Sequence, residues 1–188
     1  MPRPRSRKRT RIFFAFEGES ENAFGAWLQD LCNDQGLFVH LDRPRMKGGG
    51  DPLALVKCAL RLRAESRKRA GEGHRHSFLL IDTDRLDDKS KRSEDAVALA
   101  RKESLDLIRQ VPCFEAVLLR LHDGRERDRP PDTTRALEQL GKVWPGYRRP
   151  VRRQQLSTRF RRDDLHRLAD IDPDICRLLK KLGLRQPR

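Results

Sequence analysis

The chain has 188 residues, 36% of them apolar, and a formal net charge of +14. That length predicts one domain with a sizeable core, and apolar residues clustered in short runs exclude a disordered chain. No run approaches the roughly 20 apolar residues of a membrane span, and the basic N-terminus lacks the apolar stretch of a secretory signal, so a cytoplasmic protein with no membrane partner is expected.

Residues 1–11 carry six Lys or Arg and no acid, which predicts a flexible basic arm. Ile12 to Phe16 is a β-favouring apolar run, read as strand one. It ends in Glu17-Gly18-Glu19-Ser20-Glu21. Phe24, Trp27, Leu28 and Leu31 then recur on one helical face, and Asn33 to Gly36 stops that helix. Leu37 to Leu41 reads as strand two. Asp51 is an N-cap with Pro52 at the first helical position. Leu53, Val56 and Leu60 carry that helix to about Ala70, with a basic end that suits a helix C-terminus.

Gly71 to Arg75 reads as a loop, with His74 and His76 solvated. Ser77 to Ile81 is apolar on both faces, as a central strand of a parallel sheet would be, and it ends in Asp82-Thr83-Asp84. A charged loop over 85–95 leads to a helix at Ala96 to Lys102. Strand four falls at Leu105 to Ile108, and a helix starts from Phe114. Strands and helices in alternation predict an α/β fold, a mostly parallel, Rossmann-like sheet flanked by helices, over residues 12–124. Residues 125–131 read as a loop or linker inside a basic, partly helical C-terminal region, 125–188. From Pro145 onward that region holds 13 Lys or Arg against five Asp. Short helices are expected near 133–142, 163–169 and 173–182. Cys32, Cys58, Cys113 and Cys176 form no CxxC pair and read as reduced, mostly buried thiols.

The position of the acids carries the functional reading. In open α/β sheets, ligands bind beyond the carboxyl ends of the strands. Glu17 lies just past one predicted strand, and Asp82 and Asp84 lie just past another. If those strands are neighbours, three carboxylates converge. Hard oxygen donors of this kind suit Mg²⁺ or Mn²⁺. On a strongly basic chain, whose commonest partner is DNA or RNA, such a metal points to phosphodiester hydrolysis. Taken singly, a DxD is usually a solvated turn, and an EGxxE can be a turn followed by a helix start.

Phe13 to Glu21 resembles the strand-plus-EGxxE opening of Toprim domains, and Leu79 to Asp84 resembles their DxD strand. The arrangement is most similar to the RloB-like branch. There Gly50-Asp51-Pro52 matches the start of the second helix. Pro112-Cys113-Phe114-Glu115 matches a later segment whose helix ends in a histidine, here His122. Ser20 and Ala116-Val117 depart from the branch pattern without touching the acids. The resemblance spans about residues 11–124 and implies a Toprim-like fold. It also implies a Mg²⁺-dependent nuclease with Glu17, Asp82 and Asp84 as metal ligands. Glu21 and Glu115 would be supporting catalytic residues. RloB-like proteins resemble phage-defence components, so a partner ATPase of the AAA or ABC type is also implied. The chain has no GxxxxGK[ST] loop of its own.

Arg85 and Lys89 follow the DxD and could hold a phosphate. Arg148, Arg149, Arg152, Arg153, Arg161 and Arg162 form a candidate nucleic-acid tract, with Phe160 available to stack. For each, a solvated basic face is the plain alternative. A helix-end histidine bonded to a carbonyl is the plain alternative for His122. Tyr147 is the only tyrosine, and a strand-passing role for it is not expected. The rival functions are a non-catalytic nucleic-acid-binding subunit and a regulatory subunit of a defence complex.

Overall fold

A computed structural model describes residues 8–46, 51–84, 86 and 90–186. The elements in order are β1 (Thr10–Ala15), α1 (Glu19–Asp34), β2 (Val39–Asp42), α2 (Pro52–Ala70), β3 (His76–Asp82) and α3 (Lys91–Lys102). There follow β4 (Asp106–Gln110), α4 (Phe114–Arg120), α5 (Thr133–Val143), α6 (Arg153–Arg159), α7 (Arg162–Ile171) and α8 (Pro173–Leu182). The four strands are all parallel, in the order β2-β1-β3-β4.

Strands β1 and β3 are central because both of their faces are apolar. Ile12, Phe14, Phe16, Phe78 and Leu80 enter one hydrophobic cluster, and Phe13, Ala15, Leu79 and Ile81 enter the other. Helix α1 and the helices after β4 cover the first face. Helices α2 and α3 cover the second. The chain thus leaves β1 over one face to reach β2, then returns over the other face to β3. The order reverses between β1 and β3, which is the switch point at which open α/β sheets form a crevice.

The helix limits follow from local chemistry. The Asp51 carboxylate accepts the Ala54 N–H at 3.0 Å, and Pro52 opens α2. Gly71 ends α2 with φ of 68°, a conformation that glycine adopts without a Cβ clash. Ser90 caps α3 by accepting the Ser93 N–H at 3.2 Å. That cap moves the helix start to Lys91, where a charged loop to residue 95 was expected. The charged residues of its first turns face solvent, while Ser93, Ala96 and Ala100 are buried.

Both sheet edges are covered by side chains. On β2, one Gln29 carboxamide donates to the Val39 carbonyl (3.1 Å) and accepts from the Leu41 N–H (2.7 Å). On β4, Asp174 accepts the Arg109 N–H (3.0 Å), and Arg177 donates to the Leu107 carbonyl (3.1 Å). Unpaired edges otherwise offer a template for another strand.

The expected arm gives up its last two residues to β1, since Thr10 and Arg11 pair with Val39 and His40. Arg11 and Ser66 hydrogen-bond to the Asp42 carboxylate, which also lies 2.9 Å from Nε2 of His74. His74, expected to be solvated, has a side chain only 2% exposed. Burial alone would raise the Asp42 pKa. The bonds from His74 and Ser66, with the Arg11 charge, outweigh it and hold the group at about 2.

The hydrophobic core runs without a break past residue 124. Leu140, Leu156, Phe160, Leu165 and Leu178 share one cluster with Phe14 and Trp27. The C-terminal region therefore completes the first face of the sheet. Helix α6, within the arginine-rich stretch, arises around Leu156, which is fully buried. Phe160 is 3% exposed and cannot stack on a base. Arg120 of α4, 1% exposed, donates to Asp172 at 2.8 Å and to the Glu126 carbonyl at 3.2 Å. Asp172 in turn caps α8. Among the described residues, no helix is long and apolar enough to cross a membrane.

Two stability tests follow. Replacing Arg120 with Ala strands a buried carboxylate and should cost about 3–5 kcal/mol in urea unfolding. A loss under about 1 kcal/mol would show that the pair does not tie α4 to α8. Asp42 has a depressed folded pKa, so its contribution is present above pH 3.8 and lost as pH falls toward about 2. Asp42→Asn should flatten the acid limb of the stability curve, and an unchanged limb would refute this.

Candidate active site

Two strand ends build the site. Pairing of Ala15 with Leu79 brings the carboxyl ends of β1 and β3 to the same side of the sheet. Glu17 follows β1 by two residues and is half-buried, and Asp82 is the last residue of β3. The backbone beyond Asp82 is held by the Thr83 N–H, which reaches the Gln110 and Pro112 carbonyls at 3.0 and 3.1 Å. Asp84 is exposed on that turn, and its carboxylate lies 3.5 Å from the Thr133 hydroxyl at the start of α5.

The EGxxE spacing has a steric explanation. Gly18 is the N-cap of α1 and Glu21 sits in its first turn. The Glu21 carboxylate folds back over Gly18, where any Cβ would run into it. Glycine at this position leaves the space in which the third residue of the helix can turn its acid toward the strand end.

Glu17, Glu21 and Asp82 line one cleft of about 530 Å³, with Glu115 and Arg149 on its wall. Glu115 lies in the first turn of α4 and is 3% exposed. Tyr147 donates its hydroxyl to Glu115 at 2.8 Å, and Arg149 grips both carboxylate oxygens through Nε and Nη2. Burial alone would raise the Glu115 pKa, but the bonds from Arg149 and Tyr147 outweigh it and lower it. Those two residues therefore occupy the carboxylate expected to support a metal. Ser20 adds a second tie, its hydroxyl accepting the Val151 N–H at 3.1 Å. Arg149 and Pro150, held between these two ties, thus form a wall of the cleft, which no local pattern in the sequence announces.

Glu21 is in the opposite condition. Burial, with the charges of Glu115 and Glu17, pushes its pKa up, against its own backbone hydrogen bond and the Arg149 charge. Crowded carboxylates of this kind are relieved by a cation. Among the described residues, no three His, Cys, Asp or Glu side chains already stand close enough to share one ion. Mg²⁺ does not need three, since it keeps several waters and takes one or two carboxylates plus substrate phosphate. Glu17, Glu21 and Asp82, all oxygen donors on one cleft, fit that requirement chemically.

The other candidates separate clearly. Arg149 lines the cleft, while Arg152 and Arg153 line an adjoining groove. Arg148 donates to the Tyr147 carbonyl at 2.7 Å, and Arg162 to Gln35 at 2.7 Å. Arg148, Arg161 and Arg162 line neither depression. Arg85 and Lys89 lie outside the described residues. His122 has Nδ1 3.0 Å from the Leu118 carbonyl and accepts at Nε2 from Arg159 at 3.2 Å. Its ring meets Phe160 edge-on at 4.9 Å, so it is a packing residue. Cys32 and Cys113 are buried, and burial pushes their thiols to about 12 and about 11, which suits inert core residues.

Comparison with protein-family models, with curated proteins and with solved structures gave no match to this chain.

The raised Glu21 pKa has a fixed sign of effect. Folding favours the protonated form, so the contribution to stability is present below the unfolded pKa of 4.5 and is lost as pH rises through the folded value. In EDTA at pH 7, Glu21→Gln should therefore melt above the wild type, and the advantage should shrink toward pH 4.5. A Gln variant that melts lower than wild type at pH 7 would refute the crowding.

Proposed function

We propose that this chain is a Mg²⁺- or Mn²⁺-dependent nuclease that hydrolyses phosphodiester bonds in DNA or RNA. The observation that carries the reading is the convergence of Glu17, Glu21 and Asp82 on one cleft at the sheet's switch point. A strongly basic chain supplies the attraction for a polyanion that such a cleft lacks by itself. The likeness of its motifs to RloB-like Toprim proteins extends the proposal to a role in phage defence beside an ATPase.

Glu17 and Asp82 would hold the ion; Asp84, expected as a third ligand, is exposed beside Thr133 and does not line the cleft. A bound Mg²⁺ or Mn²⁺ supplies positive charge at the phosphate and lowers the pKa of a coordinated water. Glu21 in its ionised form can accept a proton from the attacking water, and burial beside Glu115 and Glu17 makes that carboxylate the more basic. Arg149 binds Glu115 through Nε and Nη2, and its guanidinium, on the cleft wall, would attract a phosphate oxygen. Glu115 and Tyr147 act by positioning that guanidinium.

The test is cleavage of plasmid, single-stranded DNA and tRNA with Mg²⁺, Mn²⁺ or EDTA. Wild type should cleave in a metal-dependent manner. Asp82→Ala should retain binding and lose more activity than the roughly 10- to 100-fold typical of changes outside the ligand shell. Cleavage by Asp82→Ala at the wild-type rate, or persistence in EDTA, would overturn the proposal.

A further inference from the structure

The active-site cleft does not end at its acids. Glu19 and Pro150 line both the cleft and a second groove of about 620 Å³. The second groove runs between α1 and the segment after Pro150. Arg43 and Arg45, from the stretch after β2, face Arg152 and Arg153 across it. Four arginines line it against two carboxylates, Glu19, which lines the groove and pairs with Arg45 at 3.1 Å, and Asp30, which pairs with Arg153 at 3.1 Å.

We propose that this groove holds the phosphodiester backbone of a nucleic-acid strand and leads it into the acidic cleft. The proposal rests on the nuclease reading for its direction, but the binding it describes does not require cleavage.

The arginines are positioned as well as clustered. Arg43 lies with its stem against Gly25 of α1, where a Cβ would come within 3.0 Å of Arg43 Cδ. Its Nη1 donates to the carbonyl and side-chain oxygen of Asn22 at 3.0 and 3.1 Å. Arg153 is held by Asp30 at 3.1 Å. Arg152 is exposed and joins no ion pair among the described residues. Burial lowers the Arg43 pKa, the Asp30 charge opposes it, and the charge of Arg153 adds a smaller lowering. Like charges held together in a groove gain from a polyanion, which also releases its own counterions.

The aromatic residues nearby are not available to bases. Trp144, Tyr147 and Phe160 are each less than 10% exposed. Recognition is therefore of the backbone rather than of base identity.

The test is the salt dependence of binding to fluorescent single-stranded and duplex oligonucleotides, in EDTA, by anisotropy. Arg43→Gln/Arg152→Gln/Arg153→Gln should lower the slope of log K against log salt by about 2 for single strands and about 3 for duplex. Arg152→Gln alone, at an exposed side chain that joins no ion pair among the described residues, should lower it by about 0.7–0.9. Arg69→Gln, at the exposed end of α2 on the far face, controls for net charge and should leave the slope unchanged. Melting curves establish that each variant is folded. An unchanged slope in Arg152→Gln, an equal fall in Arg69→Gln, or no binding by wild type would overturn the groove. Wild type that binds with the expected slopes and never cleaves would overturn the nuclease reading and leave the groove standing.

Discussion

A buried carboxylate dictates much of this molecule. Glu115 lies at the start of α4, where the α-helix offers its own N–H groups but the surroundings are largely apolar. A charge in that position is tolerable only when paired and fully hydrogen-bonded. Its partners, Tyr147 and Arg149, arrive from more than 30 residues downstream. To reach it, the chain after α5 must fold back across the end of the sheet. Trp144, Tyr147 and Phe160 then fall into the core beside Trp27, with adjacent rings 5.4–6.2 Å apart. The same return lays Pro150 and Val151 against α1. One electrostatic requirement thus sets both the packing of the C-terminal region and the wall of the cleft.

The sheet order supplies the rest. In the order β2-β1-β3-β4, the chain goes outward from β1 over one face and comes back over the other. Among the described residues no helix bridges the carboxyl ends of β1 and β3, so the residues just past those strands are placed as ligand-binding residues are in open α/β sheets. Acids there sit at the rim of a rigid, apolar support. Glu17 and Asp82 take their positions from the ends of strands paired on both sides, and Glu21 from the first turn of α1.

What could be read from the sequence was what local pattern determines. Strands β1 and β3 are runs of apolar residues followed by acids, so the central strands are legible, and Glu17 and Asp82 do share a cleft, whereas Asp84, expected beside them, lies outside it. The Asp51-Pro52 helix start was legible for the same reason. Residues whose environment is made by distant partners were not. His74 looks like a loop residue until Asp42 and Ser66 meet it. Phe160 sits among arginines in the sequence but is covered by Trp144 and His122 in space. Glu115 could be expected near the site, but not that Arg149 would occupy it. Arg43 and Arg45 have no motif at all and gain meaning only from the groove they share with Arg152 and Arg153.

The covered edges of the sheet bear on how this protein can meet another. The Gln29 amide stands where the peptide group of a further strand would stand beside β2, and the Asp174 and Arg177 side chains take the same place beside β4. An incoming segment would have to displace these bonds before making its own. Strand addition, one of the commonest ways for a peptide to join a sheet, therefore begins at a loss on either side. The surfaces left open among the described residues are helices, loops and the arginine-rich stretch, and any contact made through those charges responds to ionic strength.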